Sequence, residues 1–148
     1  VYATETLSHA YDMPKTLREF HRVLKPGGRI AFFEYSIASL DRFDAHERHV
    51  LDVFMREGAM KALPEFQPGH FVGHLRDAGF EDIAEQDVTR NMLPSLRRLR
   101  RIAVLPVMIY KLVGAEERFL NTYSAYEAWK MVRRGVLDYS IFTARKAG

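Results

Sequence analysis

Residues 17–35 constrain the fold more than any other part of this 148-residue chain. The first part of the segment predicts a helix, because its apolar side chains share one helical face: Leu17, Phe20, Val23 and Leu24. Pro26 cannot continue that helix, and the two glycines that follow it permit a sharp turn. The continuous apolar run 30–33 then predicts a strand that is covered on both faces.

Residues 1–6 resemble a further short strand that ends in polar side chains. A strand, a helix and a second strand form one crossover unit of an open α/β sheet, and such sheets bind ligands at the carboxyl ends of their strands. Glu5 follows the first predicted strand, whereas Glu34 and Tyr35 lie at the end of the second. We therefore expect these three side chains to lie at the ligand-binding edge.

The order of several short motifs resembles one known family. The residues concerned are Ala3-Thr-Glu-Thr-Leu-Ser-His-Ala10, Leu24-Lys-Pro-Gly-Gly28, Leu75-Arg-Asp-Ala-Gly-Phe80 and 137–146. They are similar to the C-terminal half of S-adenosylmethionine-dependent methyltransferases of the Rossmann-like class, and most similar to sterol C-methyltransferases and related small-molecule enzymes. The resemblance implies an α/β fold over residues 1–148, the C-terminal part of a Rossmann-like sheet, whose last strand, 137–146, is antiparallel.

The resemblance also implies a cofactor, a reaction and a set of site residues. S-adenosylmethionine would donate a methyl group to carbon of a lipophilic small molecule such as a sterol or terpenoid. Ala3 and Thr4 would lie beside the cofactor, and Glu5 would act on the substrate as a base or cation stabiliser with His9 as its partner. Glu34 and Tyr35 would line the substrate pocket, where an aromatic ring attracts a cation through its π face.

Each of these residues also has a structural interpretation. Glu5 is then an exposed carboxylate at a strand end, and Tyr35 a packing residue. His9 either orients Glu5 and carries a proton or fixes its loop by bonding a backbone carbonyl. His46 and His49 share a helical face, but no third ligand is fixed by spacing, so we predict a solvated helix start and no metal site.

The sequence contains no glycine-rich loop after a strand and no counterpart of the acidic residue that grips the cofactor's ribose. We therefore interpret the chain as the C-terminal part of a longer polypeptide that lacks the cofactor-loop half and is inactive by itself. Two alternative functions remain. One is O- or N-methylation in secondary metabolism, and the other is a non-catalytic binding or oligomerisation module.

Residues 89–134 are predicted to form a helical cap over an apolar pocket. A helical stripe, formed by Leu93, Leu96, Leu99, Ile102 and Ala103, lies beside a cluster of arginines at 97–101. The net charge is +3, yet the cluster lacks the interleaved aromatic residues that stack on bases, so we predict no nucleic-acid partner. We expect a homo-oligomer in the cytoplasm. The first interpretation of the arginines is a solvated basic edge of the cap helix, and contact with a membrane surface is the second.

Overall fold

The computed structural model describes residues 1–112, 114 and 119–148. The strands are β1 (Tyr2–Thr4), β2 (Arg29–Ile37), β3 (Phe80–Asp87) and β4 (Leu137–Lys146). The α-helices are α1 (Met13–Val23), α2 (Ala45–Glu57), α3 (His70–Asp77), α4 (Thr89–Leu112) and α5 (Leu120–Arg134). Short 3-10 helices span Leu7–His9, Leu40–Arg42 and Leu63–Phe66.

The four strands form one sheet in the order β1-β2-β4-β3. β1 and β2 are parallel and are joined through α1, which confirms the predicted crossover unit. β4 lies between β2 and β3 and is antiparallel to both, so the expected antiparallel last strand is confirmed over 137–146. The carboxyl ends of β1 and β2 therefore meet at one end of the sheet, beside the start of β4.

The helix α1 begins and ends where the local chemistry requires. Asp12 caps its first turn by accepting a hydrogen bond from the Lys15 N–H at 2.8 Å, and Pro14 occupies a position that needs no amide donor. The apolar face of α1 packs on the sheet together with α3 and the 3-10 turn Leu63–Phe66. Leu17, Phe32 and Phe71 are completely or almost completely buried in this first core.

A second core lies at the carboxyl end of β2 and joins α2, α4 and α5. Val50, Val53 and Val136 have no exposed surface there. The helix α2 starts with a capping box between Asp44 and Glu47, a reciprocal pair that satisfies two amide groups at the helix start. This second core therefore fixes the positions of α2, α4 and α5 relative to the end of the sheet.

The region predicted as a cap consists of α4 and α5, which pack against each other. Of the residues 89–134 predicted to form the cap, 113 and 115–118 lie outside the described residues. The predicted stripe on α4 is only partly correct. Leu96 and Ala103 are buried, but Leu99 and Ile102 are 53% and 67% exposed, because the buried line continues from Ala103 to Val107 instead. None of the helices in the described part of the chain has the length and apolarity needed to cross a membrane.

Candidate functional site

A cleft of about 370 Å³ opens at the carboxyl ends of β1 and β2, between the sheet and the helices α2, α4 and α5. One wall comes from the sheet side of the molecule and consists of Glu5, Ser8, His9, Tyr35 and Leu137. The opposite wall is built largely from apolar side chains of the helices and their loops: Phe54, Met60, Leu63, Leu96, Leu99, Ala125 and Ala128. We call these the sheet wall and the helical wall.

Glu5 stands on the sheet wall in an unusual backbone conformation. Its φ angle is 49°, a left-handed conformation that costs a residue with a side chain about 1–3 kcal/mol and that recurs at functional sites. Its N–H donates to the Phe33 carbonyl at 2.8 Å, so the turn stays attached to β2. The exposed carboxylate accepts a hydrogen bond from the Tyr139 hydroxyl at 3.1 Å. The backbone and the side chain of Glu5 are thus both held in place.

Tyr35 and Tyr139 lie opposite each other on β2 and β4 and form an edge-to-face pair with ring centroids 5.1 Å apart. Burial, with the nearby charge of Glu5, raises the pKa of Tyr35 to about 12. Burial likewise raises the pKa of Tyr139, again assisted by Glu5. Both phenols are therefore neutral near pH 7 and act as hydrogen-bond donors or packing surfaces rather than as bases.

Glu34 differs from the expectation that it lines the pocket. Its side chain is completely buried beneath the loop that follows β1, and the cleft does not include it. Oε1 accepts hydrogen bonds from the N–H groups of Thr6 and Leu7, at 2.8 and 2.7 Å. Glu34 faces inward because even-numbered residues of β2 point toward the core, as Ile30 and Phe32 do. Its carboxylate therefore shapes the Glu5–His9 loop from below.

The charge of Glu34 is costly in this position. Burial raises the pKa of its carboxyl, while the backbone N–H groups of Leu7, Thr6 and Ser8 oppose that rise and the charge of Glu5 adds to it. The second oxygen, Oε2, has no hydrogen-bond partner among the described residues. The buried Ser8 hydroxyl beside this loop is likewise without a described partner. The floor under the sheet wall thus holds polar groups that are not fully satisfied.

The imidazole ring of His9 is held by a backbone carbonyl of the loop that follows α2. Its Nδ1 lies 3.1 Å from the carbonyl oxygen of Ala59, just after α2. A carbonyl only accepts hydrogen bonds, so this contact places the proton on Nδ1 and leaves Nε2 as the basic nitrogen of the neutral ring. Next to it, the Ala62 N–H donates to the Ser8 carbonyl at 3.0 Å. The loop-fixing contact weighed from the sequence is present, and Nε2, which has no hydrogen-bond partner in the described part of the chain, leaves the proton-carrying role available.

Ala3 and Thr4 lie on β1, away from the lining of the cleft. The bonds of β1 to β2 use odd-numbered residues, namely the Val1 carbonyl and the Glu5 N–H. The N–H groups of Tyr2 and Thr4 therefore point to the other edge of β1, where the described part of the chain supplies no strand. Any group bound by Ala3 and Thr4 would lie at this free edge, next to Glu5.

Sequence reasoning missed two kinds of residue at the site. Tyr139 was not singled out, although it lies in register with Tyr35 and donates to Glu5. The alternation within 137–146 could have placed it on the same face as a strand partner, but only once the pairing with β2 was known. Leu96 and Leu99 of the helical wall belong to the stripe predicted for the cap, whereas its other members, among them Met60 and Ala125, were missed because no chemistry marks them in a sequence.

Comparison with known proteins identifies the relatives of the chain. A family model described as "Methyltransferase domain" matches residues 1–32. The S-adenosyl-L-methionine-dependent Diels-Alderase iccD of Talaromyces variabilis is 29% identical over 88% of this chain and 48% of that protein. The 27-O-demethylrifamycin SV methyltransferase of Amycolatopsis mediterranei is 30% identical over 99% of this chain and 52% of that protein. The chain is homologous to S-adenosylmethionine-dependent methyltransferases.

A sterol 24-C-methyltransferase, ERG6B of Gibberella zeae, is a further relative in this family, 31% identical over 60% of the chain and 23% of that enzyme. Among solved structures, a phosphoethanolamine N-methyltransferase of Haemonchus contortus with bound S-adenosyl-L-methionine has a TM-score of 0.72 at 15% identity. It matches the whole chain and 33% of its own length. These structural likenesses show the methyltransferase fold. The chain spans about half the length of the first two curated relatives.

The site geometry fits one side of a methyltransferase cofactor site. A sulfonium is a cation, and the exposed Glu5 carboxylate with the two neighbouring tyrosine rings supplies groups that attract cations. The free edge of β1 exposes Thr4 next to these groups. The sequence of this chain carries no glycine-rich loop after a strand to cradle the cofactor and no counterpart of the acidic residue that binds its ribose. The residues present therefore fit the sulfonium end of the cofactor and the substrate.

Proposed function

We propose that the intact protein transfers the methyl group of S-adenosylmethionine to carbon of a lipophilic small molecule, such as a sterol or terpenoid. The observation that carries the proposal is the cleft itself, in which an anchored carboxylate on the sheet wall faces a long apolar wall. A pocket with mostly apolar lining and few convergent polar groups is the usual form of a small-molecule site. Its volume of about 370 Å³ would hold part of a polycyclic or prenyl skeleton.

In this proposal, Ala3 and Thr4 at the end of β1 flank the cofactor, which supplies an electrophilic methyl group when bound. Glu5 is held by Tyr139 at the strand end, where its carboxylate stabilises positive charge on the substrate and accepts the proton that the methylated carbon loses. His9 offers Nε2 for the onward transfer of that proton. The apolar helical wall excludes water from the reacting carbon.

The test is an assay of the intact protein with S-adenosylmethionine that carries a deuterated methyl group. Sterols, prenyl compounds and polyketide phenols would be offered separately, and products would be analysed by mass spectrometry and carbon NMR. The proposal predicts a product with a new carbon–methyl bond from a lipophilic acceptor. A product labelled only on oxygen or nitrogen would replace it by the O- or N-methyltransferase alternative.

A second candidate is a pericyclic cyclisation that uses the same cleft without methyl transfer. Two observations favour it: the Diels-Alderase relative covers 88% of this chain, and Tyr35 and Tyr139 stay protonated and can donate hydrogen bonds to a carbonyl. Such a reaction needs shape and polarisation but no base. The labelled assay separates the two, because a cyclisation product has the mass of its substrate and contains no deuterium.

A homo-oligomer is part of the proposal for the 148-residue chain studied alone. The free edge of β1 exposes N–H and C=O groups that favour pairing with another strand. Tyr2, on this edge, is 76% exposed. Sedimentation velocity on the isolated chain would detect self-association. A monomer whose β1 amides are protected from hydrogen exchange would contradict this part of the proposal.

A further inference from the structure

The helix α4 concentrates the positive charge of the chain. Its 24 residues include six cationic side chains, Arg90, Arg97, Arg98, Arg100, Arg101 and Lys111, and contain no Asp or Glu. The whole chain has a net charge of only +3, so the remainder is net negative. The basic character is therefore a property of one helix and not of the general surface.

The outer face of α4 is also apolar in its C-terminal half. Ile102, Leu105, Ile109 and Leu112 recur at intervals of three and four residues, which places them on one face of the helix. They are between 52% and 87% exposed, and Met108 beside them is 59% exposed. The face turned toward the core is a different one, formed by the buried Leu96, Ala103 and Val107. Isolated apolar residues are ordinary on surfaces, but a continuous stripe of this kind marks a contact surface.

The arginines adjoin this stripe on the preceding turns. Arg98 and Arg101 lie on the same outer face as Leu105, and Arg97 is close by at the side. All three are exposed, and within the described residues none of them makes a hydrogen bond or an ion pair. Three unneutralised guanidinium groups thus stand next to a row of uncovered aliphatic side chains.

We propose that the outer face of α4 docks on a membrane surface that contains anionic lipids. Aliphatic side chains are stabilised when they enter the boundary between headgroups and acyl chains, and arginines are stabilised when they bind lipid phosphates. One helix face that carries both can make the two contacts at once. A second copy of this chain is a poorer occupant, because pairing two α4 helices would bring two sets of arginines together. The apolar cleft lies against the other side of the same helix, through Leu96 and Leu99.

The experiment measures co-sedimentation of the intact protein with vesicles of phosphatidylcholine, alone or mixed with phosphatidylserine. We expect binding to the mixed vesicles that weakens as salt is added, because exposed charges are screened. Replacing Arg97, Arg98 and Arg101 by Gln together is expected to lower the partition coefficient roughly 100-fold, at about fivefold per charge. Replacing Ile102, Leu105 and Ile109 by Ser is expected to abolish the binding that remains in high salt.

Matched controls lie on α1, outside the proposed docking face of α4. Arg18→Gln removes an exposed arginine, and Val23→Ser removes an apolar side chain that is 54% exposed, comparable with Ile109. Both controls should bind the mixed vesicles like the parent protein. Circular dichroism and thermal unfolding should be unchanged in every variant, because all the altered side chains are exposed.

Four outcomes would overturn the proposal. The first is absence of the intact protein from the vesicle pellet at low salt, and the second is binding of the α4 variants as strong as that of the controls. The third is an oligomer, detected by sedimentation velocity without vesicles, that only the α4 substitutions dissociate, because a second copy would then cover the face. Protection of residues 102–112 from hydroxyl-radical labelling in the vesicle-free monomer would show that the same polypeptide covers it.

Discussion

The two walls of the cleft are built on different principles. On the sheet wall, Glu5 and His9 each have a specific partner: Tyr139 holds Glu5, the Ala59 carbonyl holds His9, and the buried Glu34 binds the loop between them. On the helical wall, the lining from Phe54, Leu96 and Ala128 is held only by packing. Hydrogen bonds fix direction, whereas packing fixes shape.

This difference separates chemistry from selectivity. A group that moves a proton must be directed to within hydrogen-bonding distance of one atom, and the sheet wall offers such groups in Glu5 and His9. A wall of aliphatic side chains discriminates substrates by size, and modest changes of shape there change which molecule fits. Substitutions on the sheet wall should therefore alter turnover, and substitutions on the helical wall should alter the preferred substrate.

The largest effect is expected for Glu5→Gln in the intact protein. The amide keeps the shape of the side chain but loses its negative charge and its capacity to accept a proton. We expect turnover to fall by roughly 100-fold or more, the usual scale of general acid–base catalysis, while cofactor affinity changes little. Steady-state kinetics with the natural acceptor and isothermal titration with S-adenosylmethionine measure the two quantities.

Asp77→Asn is the matched control for this change, since it also converts a carboxylate to an amide but lies exposed at the end of α3. Its turnover should equal that of the parent. If the turnover of Glu5→Gln stays within a few-fold of that of Asp77→Asn, the carboxylate of Glu5 is structural. The assignment of the chemistry to the sheet wall would then be wrong.

Ala125→Leu tests the helical wall and should have the next largest effect. Ala125 lines the cleft on α5, so a larger side chain reduces the space for a substrate without touching the polar groups. We expect kcat/KM for a bulky acceptor to fall by about 10-fold or more, and to fall less for a smaller acceptor. Competition assays with paired acceptors measure the ratio directly.

The exposed Ala45 at the start of α2 provides the control, because Ala45→Leu adds the same atoms outside the cleft. An equal loss of kcat/KM for both acceptors in Ala125→Leu would mean that the wall acts on catalysis as a whole, and the proposed role in selectivity would then be wrong.

Much of the fold could be predicted from the sequence because its signals are local. The proline and glycines after α1 end a helix in any context, and the short apolar run from Ile30 to Phe33 that follows them favours a strand. The structure buries Ile30 and Phe32 of that run and leaves Ala31 and Phe33 half-buried. Which residues of α4 are buried could not be predicted in the same way. Leu99, Ile102 and Leu105 are as apolar as Leu96, and the choice among them depends on where α5 and β4 lie.

The candidate site was predictable only in outline. Position at a strand end indicated that Glu5 and Tyr35 share one edge, the family resemblance added His9, and all three line the cleft. Glu34 has the same sequence signal, one residue before Tyr35, yet alternation along β2 directs it to the opposite face. The bond between Tyr139 and Glu5 joins residues 134 positions apart, and only the completed sheet brings them together.

Tyr139→Phe tests the hydrogen bond that holds Glu5 on the sheet wall, and its expected effect on turnover is smaller. The substitution removes the hydroxyl that donates to Glu5 and preserves the edge-to-face contact of the ring with Tyr35. One hydrogen bond contributes about 0.5–1.5 kcal/mol, so we expect turnover to fall about 2- to 10-fold with little change in KM. Tyr11→Phe, at a position 94% exposed, should leave the kinetics unchanged. A loss in Tyr139→Phe that persists in the Glu5→Gln background would contradict a role exerted through Glu5.

The smallest expected effect is on the pH dependence of stability. Glu34→Gln tests the buried carboxylate that supports the loop of the sheet wall. Burial holds the pKa of Glu34 in the folded chain above its ordinary value of 4.5, so the folded state binds this proton more readily than the unfolded state does. The free energy of unfolding of the parent should therefore rise as the pH falls from neutral through the folded pKa toward 4.5, and this contribution is absent from the variant. Urea unfolding of both proteins over that interval gives the difference, which should increasingly favour the parent at lower pH. The increase should be smaller in a Glu5→Gln background, because the charge of Glu5 contributes to the raised pKa. A difference that is constant with pH would mean that the three amide donors of Glu34 offset the penalty of burial, and a difference that shrinks as the pH falls would mean that they outweigh it.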